Sequence, residues 1–370
     1  MSILFSPISI DGLTLSNRIA VAPMCQYSAS NGEATDWHMM HLGHLALSGA
    51  GMLFTESTAV EPEGRISPAD LGLWSQPCEK ALGRVLSAIR PHSPIRIAVQ
   101  LAHAGRKASS RPPWEGGSLI AADQGGWPAL APSALPHAAN EPAPVALDHA
   151  GLARVRSAFA AAARRAHNIG VDALEVHGAH GYLLHQFLSP LANARDDRYG
   201  GSWENRVRFP LEVFDCVREA VPASMPVGMR ISATDWVDGG WDLEQSVALA
   251  HLLQRRGCSF IHVSSGGISP LQKIPLGPGY QVAFAERIRA DTRMPTIGVG
   301  MITDAQQAET IVASGQADIV ALARAILYDP RWPWHAAAKL GAQVAAPPQY
   351  WRSQPQENKG LFGATQLGQR

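Results

Sequence analysis

Short apolar runs alternate with longer amphipathic segments along most of the chain, from about residue 18 to about residue 340. Each short run has the length and character of a buried strand, and each longer segment has the spacing of a surface helix. The runs predict strands at residues 18–23, 52–60, 95–103, 171–176, 227–232, 260–264, 295–300 and 318–323. The segments predict helices at residues 36–49, 79–90, 148–168, 204–220, 243–256, 282–289, 305–314 and 333–340. Asp36 is the predicted N-cap of the first helix.

This regular alternation predicts the class of fold. Eight strand–helix pairs without an interdomain linker favour one α/β domain, a (β/α)8 TIM barrel at residues 1–346, followed by a tail at residues 347–370. Residues 1–16 alternate apolar and polar positions around Asp11-Gly12, which predicts an N-terminal hairpin. A doubly wound parallel sheet is the alternative, but no GxGxxG motif stands at a strand-to-helix turn.

Residues 104–146 interrupt the alternation after the third predicted strand. They are rich in proline, glycine and tryptophan, which disfavours regular helix. Long connections in compact domains are commonly functional lids or rims. The sequence therefore predicts a long loop beside a binding site.

Charge and composition restrict the partners and the compartment. Lysine plus arginine and aspartate plus glutamate are both 31, so the net charge of zero favours neither nucleic acid nor an anionic membrane as the main partner. The four cysteines form no CxxC pair, and no signal-peptide pattern or apolar segment of membrane length is present. These features predict a cytoplasmic protein without a metal centre.

The fourth predicted strand leads directly into a group of polar side chains. His177, His180 and Tyr182 follow it within six residues, and Gly178 and Gly181 separate them so that the backbone can turn sharply. In a (β/α)8 barrel, the carboxyl ends of the strands form the active face. Two imidazoles and a phenol there could bind a small oxygen atom and supply a proton. The alternative is a loop with two internally satisfied histidines.

Other strands also carry polar residues toward this face. Gln100 and Arg230 interrupt apolar strands, and a buried guanidinium needs an acid or a bound ligand. Glu175 could supply an ion pair, whereas a ligand with carbonyl oxygens and ring nitrogens would satisfy Gln100 and Arg230 together. Gly300 and Arg324 follow the seventh and eighth strands, where such barrels commonly bind phosphate.

Longer segments carry a resemblance to a known family. They include RIAVAPMCQYSA, TESTAVEPEGRI, QLAHAGRKAS, EVHGAHGYLLHQFLSPLANARDDRYGGSWENRVRF, HVSSGG and LARAILYDPRWPWHAA. The chain resembles the old yellow enzyme family of flavin-dependent ene-reductases, in particular its bacterial xenobiotic reductase-like branch. The resemblance covers nearly the whole chain in order.

The resemblance implies an FMN cofactor, with NADPH or NADH as electron donor and a small activated alkene as substrate. It implies that FMN is held by Pro23, Met24, Cys25, Ala59, Gln100, Arg230, Gly300, Met301, Ala323 and Arg324. His177 and His180 would bind the carbonyl or nitro oxygen of the alkene, Tyr182 would donate a proton, and Tyr27 would orient the substrate. Reduced flavin would then give hydride to the β-carbon in a ping-pong cycle.

Two further residues are interpreted through the resemblance. Many relatives outside this branch have threonine at the position of Cys25, beside a flavin carbonyl, which implies that the Cys25 sulfur tunes the flavin's potential. The alternative for Cys25 is a small packed residue. Arg352 would reach the active-site rim of a neighbouring subunit, which implies a homodimer or homotetramer. The alternative is a tail packed on its own barrel with Arg352 in solvent.

Three other classes of protein compete with this interpretation. His103, His177 and His180 could bind zinc in a hydrolase, although the first strand lacks the expected His-x-His. A Schiff-base aldolase would need a lysine in a strand, and none of the predicted strands contains one. A non-catalytic binding barrel is the third alternative, but it would have little use for Tyr182 beside two histidines.

Overall fold

Eight parallel strands close into a barrel at the centre of the protein, whose computed structural model describes residues 2–365. The strands are β1 (Ile19–Val21), β2 (Met52–Ala59), β3 (Arg96–Ala102), β4 (Ala173–Gly178), β5 (Val227–Ser232), β6 (Ile261–Ser264), β7 (Thr296–Gly298) and β8 (Ile319–Leu322). Each strand pairs with its neighbours in chain order, and β8 pairs with β1. The predicted (β/α)8 barrel is confirmed, and the doubly wound sheet is excluded because a closed barrel has no edge strands.

Helices surround the barrel. Within residues 2–365 they are α1 (Asp36–Ala46), α2 (Gln76–Ile89), α3 (His149–Asn168), α4 (Leu183–Leu188), α5 (Trp203–Arg206), α6 (Arg208–Glu219), α7 (Leu243–Gln254), α8 (Val282–Thr292), α9 (Ala305–Ala313), α10 (Arg324–Tyr328) and α11 (Trp332–Leu340). The short helices α4 and α10 had no counterpart in the sequence-based prediction. In the described part of the chain, no helix is both long enough and apolar enough to cross a bilayer.

Two helix boundaries differ from the prediction for local reasons. Thr35, not Asp36, is the N-cap of α1, and its N–H donates to Nδ1 of His38 at 3.0 Å. This reciprocal cap normally uses Glu or Gln at the third helical position, so a histidine there gives no sequence signal. The predicted helix at residues 204–220 is divided into α5 and α6, because Pro210 has no N–H to donate to the carbonyl of Arg206.

The predicted N-terminal hairpin is present and closes the amino-terminal end of the barrel. Its strands, Ile8–Ile10 and Leu13–Leu15, are antiparallel, and Asp11 and Gly12 at the turn both have positive φ, as a type I′ turn requires. Ile10 and Leu15 are buried in one cluster with residues of the barrel interior, namely Ala20, Met52, Phe54, Ala98, Ala173, Phe260, Ile297 and Ile319. This end of the barrel is therefore a packed apolar core.

Residues 104–146, called the excursion below, leave the barrel after β3 and contain no α-helix, as predicted. They include 3₁₀ turns and a short parallel pair, Leu130–Ala131 with Val145–Ala146. Nη1 of Arg106 donates to the carbonyls of Leu135 and Pro136, each at 3.2 Å, and Nη2 donates to that of Ile268 at 2.6 Å. Arg106 therefore ties the excursion to the loop after β6.

The described part of the predicted tail, residues 347–365, packs on α11 of the same chain. Leu361 and Phe362 are buried in one cluster with Ala337, and the Phe362 ring centroid lies 4.8 Å from that of Trp334. Arg352 lies in a 3₁₀ turn and is exposed. Residues 366–370 lie outside the described residues, and the division into a barrel and a tail stays a prediction.

Candidate active site

The turn after β4 determines where the predicted oxygen-binding residues point. β4 is buried along its length and brings His177 to the carboxyl-end face. His180 and Gly181 have positive φ, 59° and 73°, and a Cβ on Gly181 would overlap the carbonyl oxygen of Gly267. The N–H of His180 donates to Oγ of Ser232 at 2.9 Å. This bond from β5 helps hold a left-handed histidine that would otherwise be strained.

His177, His180 and Tyr182 form one compact group. Nε2 of His177 lies 3.4 Å from Nδ1 of His180, and the ring centroids of His177 and Tyr182 are 5.0 Å apart. Burial, aided by the positive charge of Arg230, lowers the pKa of both imidazoles well below its usual value, so they are neutral at pH 7. The N–H of Ala179 donates to Nδ1 of His177 at 3.2 Å, which leaves the His177 proton on Nε2.

Tyr182 keeps its proton. Burial raises the pKa of its phenol well above its usual value, and the thiol of Cys25, if ionised, would raise it further. Tyr182 and Tyr27 both line a cavity of about 250 Å³, one wall of which is formed by the excursion. The geometry thus places a protonated phenol beside two neutral imidazoles, and the phenol lines a cavity large enough for a small organic molecule.

Lys107 stabilises this group through hydrogen bonds to the backbone. Its Nζ donates to the carbonyls of His180 at 2.9 Å and Gly267 at 2.6 Å, and it lies 5.6 Å from the Tyr182 ring centroid. Burial lowers the pKa of Lys107 to about 8. Lys107 therefore connects the turn at His180 to the turn at Gly267. It also places an ammonium group near Tyr182 that loses its proton more readily than an exposed lysine does.

Cys25 is half-buried close to Tyr27 and Tyr182. Burial raises the pKa of its thiol well above the usual value, and the carboxylates of Asp70 and Glu56 act in the same direction. A protonated thiol is a poor nucleophile. Cys25 is therefore suited to a packing or polarising role rather than to covalent attack.

Arg230 does not form the ion pair with Glu175 that was considered from the sequence. Oε1 of Glu175 accepts from Nε2 of Gln100 at 2.6 Å, and Oε2 lies 2.8 Å from Nδ1 of His262. Arg230 is buried, and its Nε has no hydrogen-bond partner among the residues that the structure describes. Burial lowers the pKa of its guanidinium although Glu175 opposes this effect. Such a group requires a ligand that accepts hydrogen bonds.

The ends of β7 and β8 form a second cavity, of about 340 Å³. Gly300 and Arg324, which were predicted to bind phosphate, line it together with Met301 and Ala323, two other residues of the predicted FMN-binding set. Gly300 has φ of 124°, and a Cβ there would lie 2.9 Å from Nε2 of Gln281. Only glycine fits, which leaves its backbone open to a ligand. Arg324 is exposed and has no ion pair in the part of the chain that the structure describes.

These features fit one kind of ligand. The partnerless Nε of Arg230 suits a ring with carbonyl oxygens and nitrogens, and the cavity at Gly300 and Arg324 suits a phosphate, as in flavin mononucleotide. Fold and site together define a flavin-dependent oxidoreductase barrel. The chain belongs to the NADH:flavin oxidoreductase / NADH oxidase family, whose model matches residues 3–343. The resemblance to the old yellow enzyme family is thereby confirmed.

Known relatives agree with this membership. An NADPH dehydrogenase of Geobacillus sp. (strain WCH70) is 42% identical over 353 residues, which are 95% of this chain and 98% of that protein. The structure of morphinone reductase is 28% identical, with a TM-score of 0.77, and the match covers 99% of this chain and 94% of that one. A 2-naphthoyl-CoA reductase has a TM-score of 0.82, but at 24% identity and with 52% of its chain covered it shows the fold alone. This protein is an oxidoreductase that uses FMN and NAD(P)H.

The remaining predicted site residues fall into two groups. Pro23 and Met24 follow β1, and Ala59 ends β2, so all three lie at the carboxyl ends of strands. Arg352 is different, because it lies in the tail beside α11 and lines neither of the two cavities described above. Its predicted contact with a neighbouring subunit stays a prediction.

The structure also identifies residues that the sequence did not reveal. Lys107 could have been noticed in the sequence, since it is one of only five lysines and lies in the 3₁₀ turn that follows β3. The pairing of Glu175 with His262 had no signal in the sequence, because the two residues are 87 positions apart on different strands. Ser264 lies 2.8 Å from Nε2 of His180, another contact between distant parts of the chain.

The zinc alternative is not supported by the position of His103. Its Nε2 lies 3.0 Å from Oε1 of Glu61, and its Nδ1 accepts the N–H of Gly105 at 3.0 Å. Glu61 also receives hydrogen bonds from Arg154. Among residues 2–365, no three His, Cys, Asp or Glu side chains are arranged to hold a metal ion.

Proposed function

We propose that this protein is an ene-reductase that reduces activated C=C bonds of α,β-unsaturated carbonyl or nitro compounds. The observation that carries the proposal is the 3.4 Å separation of Nε2 of His177 and Nδ1 of His180, beside the protonated phenol of Tyr182. Bound FMN, reduced by NADPH or NADH, would supply the hydride that the β-carbon accepts. The remaining chemistry falls to side chains of this chain.

His177 and His180 bind the substrate oxygen as neutral donors. Hydrogen bonds from both rings draw electron density toward that oxygen, which makes the β-carbon electrophilic and stabilises the negative charge that develops. Rings that stay neutral can act this way without losing a proton to the product. Tyr182 then gives its proton to the α-carbon, and burial keeps that proton on the phenol until it is needed. Tyr27, which lines the same cavity as Tyr182, orients the substrate.

The flavin would be held along the carboxyl ends of the strands. Arg230 and Gln100 meet the polar edge of its ring, and Gly300 and Arg324 bind its phosphate. The buried guanidinium gains the partner it lacks in the protein alone. Cys25, whose thiol is protonated, would lie near the ring and polarise it rather than attack the substrate. The other members of this binding set are Pro23, Met24, Ala59, Met301 and Ala323.

Absorption spectroscopy tests the proposal directly. The purified protein should be yellow, its flavin band should bleach anaerobically with NADPH, and the band should return when cyclohexenone is added. Parallel titrations with NADH establish which nicotinamide is preferred. A flavin that is reduced by NADPH but never reoxidised by cyclohexenone would refute the ene-reductase activity, and a colourless protein that binds zinc would refute the flavin site.

We further propose a homodimer or homotetramer in which Arg352 contacts the active-site rim of a neighbouring subunit. The aromatic residues of the tail pack on its own α11, which leaves Arg352 directed outward and accessible to a second chain. Truncation after Pro348 should reduce the mass of the assembly and weaken substrate or nicotinamide binding. Arg352→Ala in the full chain separates the two effects, because it keeps the packed tail. Unchanged mass and kinetic constants in both variants would leave Arg352 a surface residue.

The cytoplasmic location stays a prediction from the sequence.

A further inference from the structure

The His180 ring has two nitrogens and, when neutral, one proton, and each nitrogen has a neighbour. Nδ1 lies 3.4 Å from Nε2 of His177, and Nε2 lies 2.8 Å from Oγ of Ser264 at the end of β6. His177 carries its own proton on Nε2, because the N–H of Ala179 occupies its Nδ1. The position of the His180 proton therefore decides what the two rings offer to a bound oxygen atom.

The two tautomers of His180 have opposite consequences. With the proton on Nε2, His180 donates to Ser264 and its Nδ1 accepts from Nε2 of His177, so the rings satisfy each other and no donor remains. With the proton on Nδ1, both rings direct an N–H toward the same point. Only an oxygen atom placed there accepts both, as in an oxyanion hole.

The hydroxyl of Ser264 has one proton and two candidate acceptors. Nε2 of His180 lies at 2.8 Å, and Oε1 of Gln281 lies at 3.2 Å. Oε1 of Gln281 already accepts from Oγ of Ser265 at 2.7 Å. The Ser265 oxygen in turn accepts from Nε1 of Trp236 at 2.9 Å. The Gln281 amide oxygen has two lone pairs and already accepts from Ser265, whereas Nε2 of His180 is the nearer acceptor and has no other donor among the described residues, so we assign the Ser264 proton to His180.

We propose that Ser264 is a positioning residue that keeps the His180 proton on Nδ1, so that His177 and His180 both donate to the substrate oxygen. The inference rests on the proposed function, which makes these two rings the binding site for that oxygen. Ser264 acts through His180 and not on the substrate. The contact joins β6 to the turn after β4, residues 84 positions apart.

The first test measures the tautomer itself. In protein labelled with ¹⁵N-histidine, long-range proton–nitrogen correlation spectra distinguish a ring protonated on Nδ1 from one protonated on Nε2, and His180→Asn assigns the resonances. The wild type should carry the proton on Nδ1. Ser264→Ala should move it to Nε2, because the donor to Nε2 is lost while Nε2–H of His177 still donates to Nδ1. Ser264→Thr, which keeps the hydroxyl, should restore the wild-type tautomer.

Ser232→Ala is the matched control for this measurement. Its hydroxyl also bonds His180, but it accepts from the backbone N–H at 2.9 Å and does not touch the ring. We expect the Ser232→Ala protein to keep the proton on Nδ1. A shift of the tautomer in this variant as large as that in Ser264→Ala would show that loosening the turn is sufficient, and would overturn the specific role of Ser264.

The second test follows oxygen binding in the holoenzyme. The probe is 4-hydroxybenzaldehyde, whose phenolate stacked on flavin gives a charge-transfer band. Loss of one charge-assisted hydrogen bond in Ser264→Ala should weaken its binding roughly 10- to 100-fold, with recovery in Ser264→Thr. The FMN content and the absorption spectrum of the bound flavin are the internal control, since Ser264 is not among the residues proposed to hold the flavin.

The outcomes separate the two proposals. A wild-type holoenzyme that gives no charge-transfer band with the probe would contradict the proposed oxygen site, whatever the tautomer. A wild type that binds the probe, together with a Ser264→Ala protein that keeps the Nδ1–H tautomer and wild-type affinity, would refute the role of Ser264 and leave the ene-reductase proposal intact.

Discussion

The two ends of the barrel differ although the same strands build both. At the amino-terminal end, Phe54, Ala173 and Phe260 pack with the hairpin into an apolar core. Two residues further along their strands, Ala173 is followed by Glu175 and Phe260 by His262, and these two side chains bond each other at 2.8 Å. At the carboxyl end, Arg230 Nε and His262 Nε2 are buried without a partner among the described residues.

This difference assigns stability to the amino-terminal half of the barrel and ligand binding to the carboxyl-terminal half. The apolar side chains of the amino-terminal half (the lower half) pack against one another and depend on no ligand, so this half can supply the stability of the fold. The carboxyl-terminal half (the upper half) contains buried polar atoms without a partner among the described residues, which lowers the stability of the flavin-free protein and favours ligand binding. The unpaired nitrogens of Arg230 and His262 therefore lie in the half where strands lead into loops, although Oγ1 of Thr296, at the start of β7, is also buried without a partner among the described residues.

Arg230→Met gives the largest expected effect, because it removes the unpaired charge of the upper half. FMN binding should weaken by about 3–5 kcal/mol, the usual loss when a buried ionic contact is broken. The flavin-free variant should nevertheless unfold at a temperature equal to or above that of the flavin-free wild type. FMN titration and thermal unfolding of the two flavin-free proteins measure both quantities.

Arg324→Met is the control for that comparison, because Arg324 is exposed. It should weaken FMN binding without stabilising the flavin-free protein, since its guanidinium is already solvated there. A flavin-free Arg230→Met protein that is clearly less stable than the wild type would show that Arg230 is satisfied without a ligand, and the contrast between the two ends would fail.

Tyr182→Phe should have the next largest effect, on the rate alone. The variant keeps the ring beside His177 and loses only the hydroxyl group that carries the proton, so reoxidation of the reduced flavin by cyclohexenone should slow roughly 10²- to 10⁴-fold. Reduction by NADPH should be unchanged, because that half-reaction needs no proton donor. Stopped-flow absorbance separates the two half-reactions. Equal slowing of both would indicate a structural role for Tyr182.

Ile297→Val gives the smallest expected effect and probes the lower half. Ile297 is fully buried in the core that includes the hairpin residues Ile10 and Leu15. Loss of one methyl group should reduce the free energy of unfolding by about 0.5–1.5 kcal/mol. Flavin affinity and both half-reactions should match those of the wild type. A change in flavin affinity would show that the two ends are coupled, contrary to the separation inferred above.

The barrel was predictable because each strand carries its own signal. Apolar runs fixed the eight strands to within a few residues, and the polar residues Gln100 and Arg230 stood out inside them. The positions of His177, His180 and Tyr182 followed from the rule that barrel sites lie at the carboxyl ends of strands. Cofactor and substrate came from the family resemblance, since residue types alone do not name a flavin.

The contacts within the site were not predictable, because they depend on which distant strands become neighbours. Glu175 was a reasonable partner for Arg230. In the closed barrel, however, the two carboxylate oxygens of Glu175 bond to Gln100 and His262 instead. The bond between Ser264 and His180 likewise requires the register of β6 against β5. Thr35 was missed as an N-cap because a histidine replaces the usual acidic partner.

The two turns that meet above β4 and β6 constrain how this enzyme can be altered. A side chain on Gly181 would collide with the carbonyl of Gly267, and one on Gly267 would collide with the backbone of His180. Neither turn can therefore accept a single substitution at its glycine, and Lys107 fastens both by their carbonyls. New substrate preferences are more accessible through the excursion, which lines the cavity beside Tyr182 from outside the barrel. A mutant library aimed at substrate range should vary residues such as Arg111, Leu119 and His137 and leave both glycine turns unchanged.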